Sequence, residues 1–368
     1  MIRKTDMTTE DIRTLCVELQ CRGVRIYGEK SGRSGGAGPA EGQTIVLGGS
    51  CITVPSTSWY VAHSPYHIGS FNGTWYLYKD GARILEVSFP PPPRFYTQMS
   101  SEGIMLQQIA LLHGRDCFAS TIYQDCKFWD TPLQCGFCGI GLSLKNSSTI
   151  LRKKPADLGQ AAAYAASHDG ACHVTLTTGA WQDEPAGLAH LCACVREIKK
   201  QSGLPVHAQV HLPRAPNDLS LLKDAGVDTL GLHIEVCTGK LLAELAPGKA
   251  VLGIGAYLRC WRSAVSLFGK NQVSSFLIAG CGEIKNEFLS MVDNVAGLGV
   301  FPYVLPLRPI PHTPLADRTP PEPAYMEELY RETARILKKY GLASATAKAG
   351  CVRCGACSCL QLFEEELA

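Results

Sequence analysis

The stretch that decides the fold is DCKFWDTPLQCGFCGIG, residues 125–141, which holds Cys126, Cys135 and Cys138. It follows the strand-like run CFASTIYQ directly. Three thiolates on one loop can hold a four-iron cluster and leave one iron open to a small ligand. Zinc also accepts thiolates, but its structural sites close with a fourth protein ligand. The sequence therefore predicts a metal-binding loop at the carboxyl end of a strand, where a fourth ligand decides between catalysis and scaffolding.

Beyond residue 100 the sequence alternates between short apolar runs and helical stretches. Six such units predict parallel strands with right-handed crossovers, arranged as a barrel or part of one. In that arrangement chemistry is expected at the carboxyl ends of the strands. The predicted strands are 118–124, 173–179, 206–210, 229–235, 274–280 and 302–307, and the predicted helices are 155–168, 187–201, 218–225, 250–268, 287–298 and 323–341.

The first 93 residues show a different pattern, which predicts a small α+β domain. A capping-box pattern at residues 8–11 predicts a helix that ends near Gly23. Two hairpins are expected, one around residues 48–50 and one turning at residues 80–81. The glycine- and serine-rich residues 29–42 are interpreted as a mobile loop. Four consecutive prolines at 90–93 favour an extended linker, so the predicted units are 1–93, 94–342 and a cysteine-rich tail at 343–368.

Composition excludes several classes of protein. The 368 residues are 46% hydrophobic and carry a net charge of +2, with no basic block that would favour nucleic acid or a membrane surface. No apolar run approaches the length of a transmembrane span, and the first residues lack a signal-peptide pattern. With 17 cysteines and no export signal, a reducing cytoplasmic location is expected. Cysteines in apolar runs are interpreted as buried hydrophobes: Cys16, Cys51, Cys117, Cys172, Cys192, Cys194, Cys237 and Cys260.

On these residues the chain resembles the radical S-adenosylmethionine (SAM) superfamily. That family places three cysteines after the first strand of a partial β/α barrel, and its last two cysteines are spaced CxxC with an aromatic before the third. Here the CxxC is Cys135 to Cys138, and the resemblance implies that Phe137 packs near the adenine of SAM. The family usually has three residues between the first two cysteines, whereas this chain has eight. Cys126 is preferred to Cys117 as the first ligand because ligands belong at the strand's exit.

The resemblance also implies SAM contacts at later strand ends. Thr178 and Gly179 occupy the place of a Gly-Gly-Glu turn, without its acidic residue. Glu235 ends the fourth strand, and Gly280 with Glu283 matches a fifth-strand glycine motif. Either of two arginines could pair with the SAM carboxylate or lie on a solvated helix face: Arg259 and Arg262.

The implied fold is a partial (β/α)6 TIM-like barrel with a small N-terminal α+β domain, and the implied function is reductive cleavage of SAM at a [4Fe-4S] cluster. RPIPHTPL, the SGGAGP loop and the GCVRCGACS tail resemble an uncharacterised subfamily from nitrilase-containing bacterial gene clusters linked to nitrile or cyanide metabolism. The implied partners are a small-molecule substrate and an electron donor such as flavodoxin or ferredoxin. The alternatives are aminocarboxypropyl transfer from SAM, or a non-catalytic zinc or iron–sulfur module that partners another enzyme.

The tail carries four closely spaced cysteines in the pattern CxxCxxCxC. Short consecutive spacings let one loop wrap three corners of an iron–sulfur cluster, so an auxiliary cluster is expected. A zinc-bound tail and a frayed terminus are the alternatives. The four cysteines are Cys351, Cys354, Cys357 and Cys359. If Cys359 does not bind, one iron stays open to substrate.

The histidines are interpreted mainly as core residues. His113 precedes the first strand and is placed at the bottom of the barrel. His233 and Glu235 are two residues apart on the fourth strand, so they share a face that could look into the barrel.

Overall fold

The computed structural model of the protein describes residues 8–27, 42–145, 147–215 and 217–367. Apart from Gly42, the loop predicted at residues 29–42 lies outside this range. The amino-terminal elements are α1 (Thr9–Arg22), β1 (Arg25–Ile26), β2 (Gly42–Leu47), β3 (Ser50–Pro55), β4 (Tyr66–Phe71), β5 (Thr74–Lys79) and β6 (Ala82–Val87).

Local sequence accounts for most of this amino-terminal unit. Thr8 and Asp11 form the predicted capping box, and α1 stops at Gly23, whose φ of 70° suits glycine. Strands β2 and β3 form the first predicted hairpin, and β5 and β6 form the second. Another hairpin, not predicted, joins β4 to β5 through Asn72 and Gly73, both at positive φ. The sheet order is β1-β4-β5-β6, with β2 and β3 as a separate ribbon.

The larger unit is a mixed α/β structure around one sheet. Its elements are α2 (Leu106–Ile109), β7 (Leu111–His113), β8 (Cys117–Tyr123), α3 (Leu142–Lys145), α4 (Pro155–His168), β9 (His173–Thr178), α5 (Glu184–Ser202), β10 (Val206–Gln209), α6 (Asp218–Asp224), β11 (Thr229–Gly231), α7 (Gly239–Leu245), α8 (Pro247–Ala250), α9 (Gly253–Phe268), β12 (Val273–Ala279), α10 (Lys285–Gly297), β13 (Phe301–Pro306), α11 (Pro323–Tyr340), α12 (Cys351–Cys354) and α13 (Leu360–Glu366).

The seven-stranded sheet follows the order β13-β12-β11-β10-β9-β8-β7. Neighbouring strands from β8 to β13 run parallel, as the alternating pattern predicted. Strand β7 was not predicted and pairs antiparallel with β8 at the edge. Because parallel strands share one direction, their carboxyl ends meet at one edge of the sheet.

The register of the paired strands shows that the sheet has one apolar face and one polar face. Phe118, Val174 and Val206 lie on one face and are fully buried. The alternate positions form the other face, called the polar face below. It carries hydroxyl, imidazole, thiol and amide groups at Cys117, Thr121, His173, Thr175, Thr177, His207, Gln209 and Thr229. A face with these groups suits an interior that binds a polar molecule.

The fourth parallel strand differs from its prediction. The expected strand spans residues 229–235, but β11 ends at Gly231. The chain then continues alongside β12, and a single bridge joins Glu235 to Leu277. Before that bridge, side chains interrupt the regular backbone pairing: Ile234 N donates to Ser275 Oγ and Phe276 N donates to His233 Nδ1, both at 3.1 Å. Glu235 itself has a φ of 65°. The predicted helix at 250–268 begins three residues later, at Gly253.

The tail folds against both larger parts of the chain. Thr53 N donates to Ala356 O at 2.7 Å, and Gln20 Nε2 donates to the same oxygen at 3.1 Å. Ser358 Oγ donates to Val304 O on β13 at 2.5 Å. In the part of the chain that the structure describes, no helix is long and apolar enough to cross a membrane.

Candidate metal centre at the carboxyl end of the sheet

The cysteine loop leaves β8 and is anchored at both of its ends. Gln124 is buried, and its Nε2 donates to Ile140 O at 2.9 Å, which joins the start of the loop to its finish. Lys127 N donates to Ala180 O at 2.7 Å, beyond the end of β9. These bonds hold the loop over the carboxyl edge of the sheet.

The eight residues between Cys126 and Cys135 carry the chain across that edge. Gly248 N of α8 donates to Leu133 O at 3.2 Å. Immediately after the gap, Gly136 N donates to Leu245 O at 2.7 Å. The long gap therefore spans from the β8 exit to α7 and α8, which lie beyond β11.

The three loop cysteines lie within electrostatic reach of one another. Burial, with smaller contributions from Glu235 and the other two thiols, raises the pKa of the Cys135 thiol to about 12. Burial likewise raises the pKa of Cys138 to about 11. A bound cationic centre would lower these thiol pKa values again, because it stabilises the thiolate form. Cys126 is a neighbour of both CxxC cysteines, whereas Cys117 lies at the opposite end of β8.

The donor chemistry of this loop fits an iron–sulfur cluster with one open corner. Within the described ranges, no group of three Cys, His, Asp or Glu side chains is already gathered around a single ion position. The three soft sulfur ligands are half-buried on one anchored loop. The ligand assignment of Cys126, Cys135 and Cys138 stays a prediction.

Gly179 occupies the tightest position of the site. A Cβ built there would lie 1.8 Å from Asp125 O and 3.0 Å from Cys126 Cα. Only glycine lets the loop cross the end of β9 so closely. The preceding Thr178 accepts a hydrogen bond from Trp181 Nε1 at 2.9 Å. In this structure Gly179 contacts the cysteine loop; its predicted contact with SAM stays a prediction.

Glu235 lies at the carboxyl edge as predicted, but its carboxylate is paired with Lys249. The side chains are 11% and 15% exposed, and Lys249 Nζ also donates to His233 O at 2.9 Å. Burial raises the pKa of Glu235, and the Lys249 cation opposes this. Lys249 also lowers the pKa of Cys135 against the effect of burial. The pair therefore places a positive charge next to the cysteine loop.

Gly280 and Glu283 form a turn after β12. Gly280 has a φ of 95°, which favours glycine. The Glu283 carboxylate accepts from Gly280 N and Cys281 N, both at 2.8 Å, and from Tyr325 OH at 3.0 Å. These contacts show how Glu283 fixes the strand end; the predicted contacts of Gly280 and Glu283 with SAM stay predictions.

The remaining predicted site residues differ in how far they are buried. Phe137 is half-buried and packs against the core between the two CxxC cysteines. Arg259 and Arg262 are both exposed on α9, which agrees with the solvated helix face considered for them. Lys249 was missed because neither its spacing nor its neighbours in sequence reveal a partner 14 residues away.

The tail cysteines lie at the other end of the sheet and do not act as one set of four. Cys351 contacts Gln209 of the polar face, while Cys354 and Cys357 contact His113 of β7. Cys359 is buried elsewhere, with its Sγ 3.3 Å from Gln20 Oε1 of α1. His113 lies at the predicted bottom of the sheet, beside the tail.

Comparisons with known proteins give modest similarities. No family model matches the chain. It is 24% identical over 139 residues to a bacteriochlorophyllide c C-7(1)-hydroxylase of Chlorobaculum limnaeum, covering 37% of this chain and 34% of that protein. The match thus spans about a third of the hydroxylase.

Two solved structures illustrate the structural likeness. Methylornithine synthase PylB has a TM-score of 0.47 and 16% identity, over 68% of this chain and 72% of its own. The radical SAM enzyme coproporphyrinogen III oxidase HemN of Escherichia coli has a TM-score of 0.39 and 15% identity, over 67% and 58%. We therefore base the function on the cysteine loop and the strand ends.

Proposed function

We propose that the protein is a radical SAM enzyme that cleaves SAM at a [4Fe-4S] cluster and starts radical chemistry on a small molecule. The observation that carries this proposal is the anchored loop with Cys126, Cys135 and Cys138 at the carboxyl edge of a parallel sheet. Three thiolates would hold three irons and leave the fourth to the amino and carboxylate groups of SAM. When bound, the cluster supplies one electron for cleavage of a carbon–sulfur bond of SAM.

The residues around the loop prepare this site in distinct ways. Gly179 lets the loop cross the end of β9, and the Glu235–Lys249 pair holds a cation beside Cys135. A partly buried ammonium group favours the thiolate form of its neighbour and compensates negative charge on the cluster. Phe137 lies between the ligands, where an aromatic ring can pack against adenine.

The polar face below the loop is the proposed substrate surface. Gln209, Thr177 and Thr121 are side chains on this face that can donate or accept hydrogen bonds. They suit a small polar molecule, in line with a role in nitrile- or cyanide-linked nitrogen metabolism. The electron donor would be a reductant such as flavodoxin or ferredoxin.

Anaerobic reconstitution with iron and sulfide tests the proposal. The reduced protein should cleave SAM, and a Cys135→Ala/Cys138→Ala variant should fall to the background rate. Cys192→Ala is the matched control, because Cys192 is buried on α5, where its Sγ donates to Leu221 O of α6, and the variant should retain cleavage. Product analysis then separates 5′-deoxyadenosine from products of aminocarboxypropyl transfer.

Two results would contradict the proposal. One is a protein that binds zinc without iron, which would favour a non-catalytic module. The other is full SAM cleavage by the double variant, which would overturn the ligand assignment.

A further inference from the structure

Four thiols from two distant parts of the chain meet at the amino-terminal end of the polar face. Cys117 is the first residue of β8, while Cys351, Cys354 and Cys357 belong to the tail. Cys117 is the registered partner of His113 across β7 and β8, and the Cys354 and Cys357 thiols both contact the His113 ring. Cys351, three residues before Cys354, contacts Gln209 of the same face. The set therefore includes a strand residue that the spacing of the tail cysteines does not reveal.

Nitrogen donors surround these sulfur atoms. His113 Nδ1 lies 3.3 Å from Cys354 Sγ, and His113 Nε2 lies 3.5 Å from Cys357 Sγ. Gln209 Nε2 donates to Cys351 Sγ at 3.2 Å. Hydrogen bonds from nitrogen to sulfur stabilise thiolate ligands and tune the reduction potential of iron–sulfur clusters.

Two glycines allow the backbone to approach this cluster of side chains. A Cβ on Gly114 would lie 2.7 Å from Cys354 Sγ, and one on Gly350 would lie 2.5 Å from the His207 ring. Both glycines also have positive φ, at 61° and 92°. The turn before β8 and the start of α12 are thus packed around the sulfur atoms, so the tail is not a frayed terminus here.

The fourth cysteine expected from the tail pattern is excluded from this set by its position. Cys359 Sγ is 3.3 Å from Gln20 Oε1, and its other neighbours include Cys16 and Cys21. It is buried against α1, where it serves as a core residue.

We propose that a second iron–sulfur cluster lies at the amino-terminal end of the polar face, held by Cys117, Cys351, Cys354 and Cys357. Three consecutive cysteines spaced by two residues are typical of cluster loops, whereas zinc sites usually combine separated pairs. The six-residue rise of β8 places this site about 20 Å from the β8 exit, so one cluster cannot use both cysteine sets. Closed by four thiolates, the second cluster offers no open iron to a ligand.

The experiment starts from a Cys126→Ala/Cys135→Ala/Cys138→Ala variant, reconstituted anaerobically with ferrous iron and sulfide. It should retain about four iron and four sulfide per chain, the content of one cubane cluster. Adding Cys117→Ala should remove most of this iron and its electron paramagnetic resonance signal after reduction. Adding Cys359→Ala instead should leave the iron content unchanged. Because SAM cleavage is not the readout, failure of the proposed function would not alter this result.

A second pair of variants distinguishes loss of the cluster from general misfolding. Gly114→Ala should lower the iron content, because its Cβ would collide with Cys354 Sγ. Gly103→Ala is its control, since Gly103 has a φ of 76° but open space around it. Near-ultraviolet circular dichroism of the metal-free variants checks that the fold is retained.

Several outcomes would overturn the second cluster. These are zinc in place of iron, a disulfide among the four cysteines after anaerobic purification, and no iron in the starting variant. Iron loss with Cys359→Ala but not with Cys117→Ala would overturn the ligand set.

Discussion

At the scale of single residues, the ion pair between Lys249 and Glu235 shows what local sequence reveals and what it does not. Glu235 was identified as the last residue of the predicted fourth strand, and in the structure it lies four residues beyond the end of β11. Its partner comes from α8, a short helix that was not predicted, because the expected helix began only at residue 250. The cysteine loop could be singled out from the sequence because a metal-binding pattern is visible in the spacing of its cysteines. The contact of Lys249 with Glu235 arises only when two distant segments of the chain meet.

Lys249→Met should destabilise the protein by about 3–5 kcal/mol, because it leaves the Glu235 carboxylate buried without its cation. Urea unfolding of the metal-free protein measures this change. Lys200→Met is the control: Lys200 pairs with Glu197, but its side chain is 75% exposed. Its loss should change stability by less than about 1 kcal/mol. Equal effects of the two substitutions would contradict the buried pairing.

At the scale of elements, the sequence predicted which segments form strands better than where each strand ends. Strands β8, β9, β10, β12 and β13 lie within one residue of their predicted ends, because apolar runs bounded by turn residues define them. Strand β11 stops early because the side chains of Ser275 and His233 replace backbone partners in the pairing with β12, and these are tertiary contacts. The course of residues 127–134 over the sheet edge could not be predicted from the sequence either, since its hydrogen bonds reach α8 and the end of β9.

Gly179→Ala tests the contact between the cysteine loop and β9. The added methyl group collides with the backbone at Asp125, so the loop must shift, at a cost of at least about 1–3 kcal/mol. Iron content of the loop site and SAM cleavage should both fall several-fold. Gly239→Ala is the control, because nothing lies within 4 Å of a Cβ built there. Unchanged iron binding by Gly179→Ala would show that the loop is not held at this point.

At the scale of the whole molecule, two partly buried histidines make the fold sensitive to mild acid. Burial lowers the pKa of His211 to about 4 and that of His233 well below its usual range. In the unfolded chain each titrates near pH 6.5, so below that pH the unfolded state binds more protons than the folded state. The contribution of these histidines to the free energy of unfolding is therefore fully present above about pH 6.5. It decreases as the pH falls towards 4.

Each histidine contributes up to about 1.4 kcal/mol per pH unit in that window. The urea midpoint of the metal-free protein should therefore be lower at about pH 5.5 than at about pH 7.5. A His211→Asn/His233→Asn variant should show a smaller difference. The same pH dependence in variant and parent would assign the effect to other groups.

The tail's position beneath the sheet also has a consequence for synthesis. Residues 351–357 leave the ribosome after all strands of the sheet, yet they supply three of the four thiols at its amino-terminal end. Domains begin to fold as they emerge, at about 5–20 residues per second. The nascent sheet therefore exposes Cys117, His113 and the polar face to solvent until translation reaches the tail. For the proposed second cluster, metal delivery to this end would follow translation of residue 357, whereas the loop at residues 126–138, where the first cluster is proposed, is translated more than 200 residues earlier.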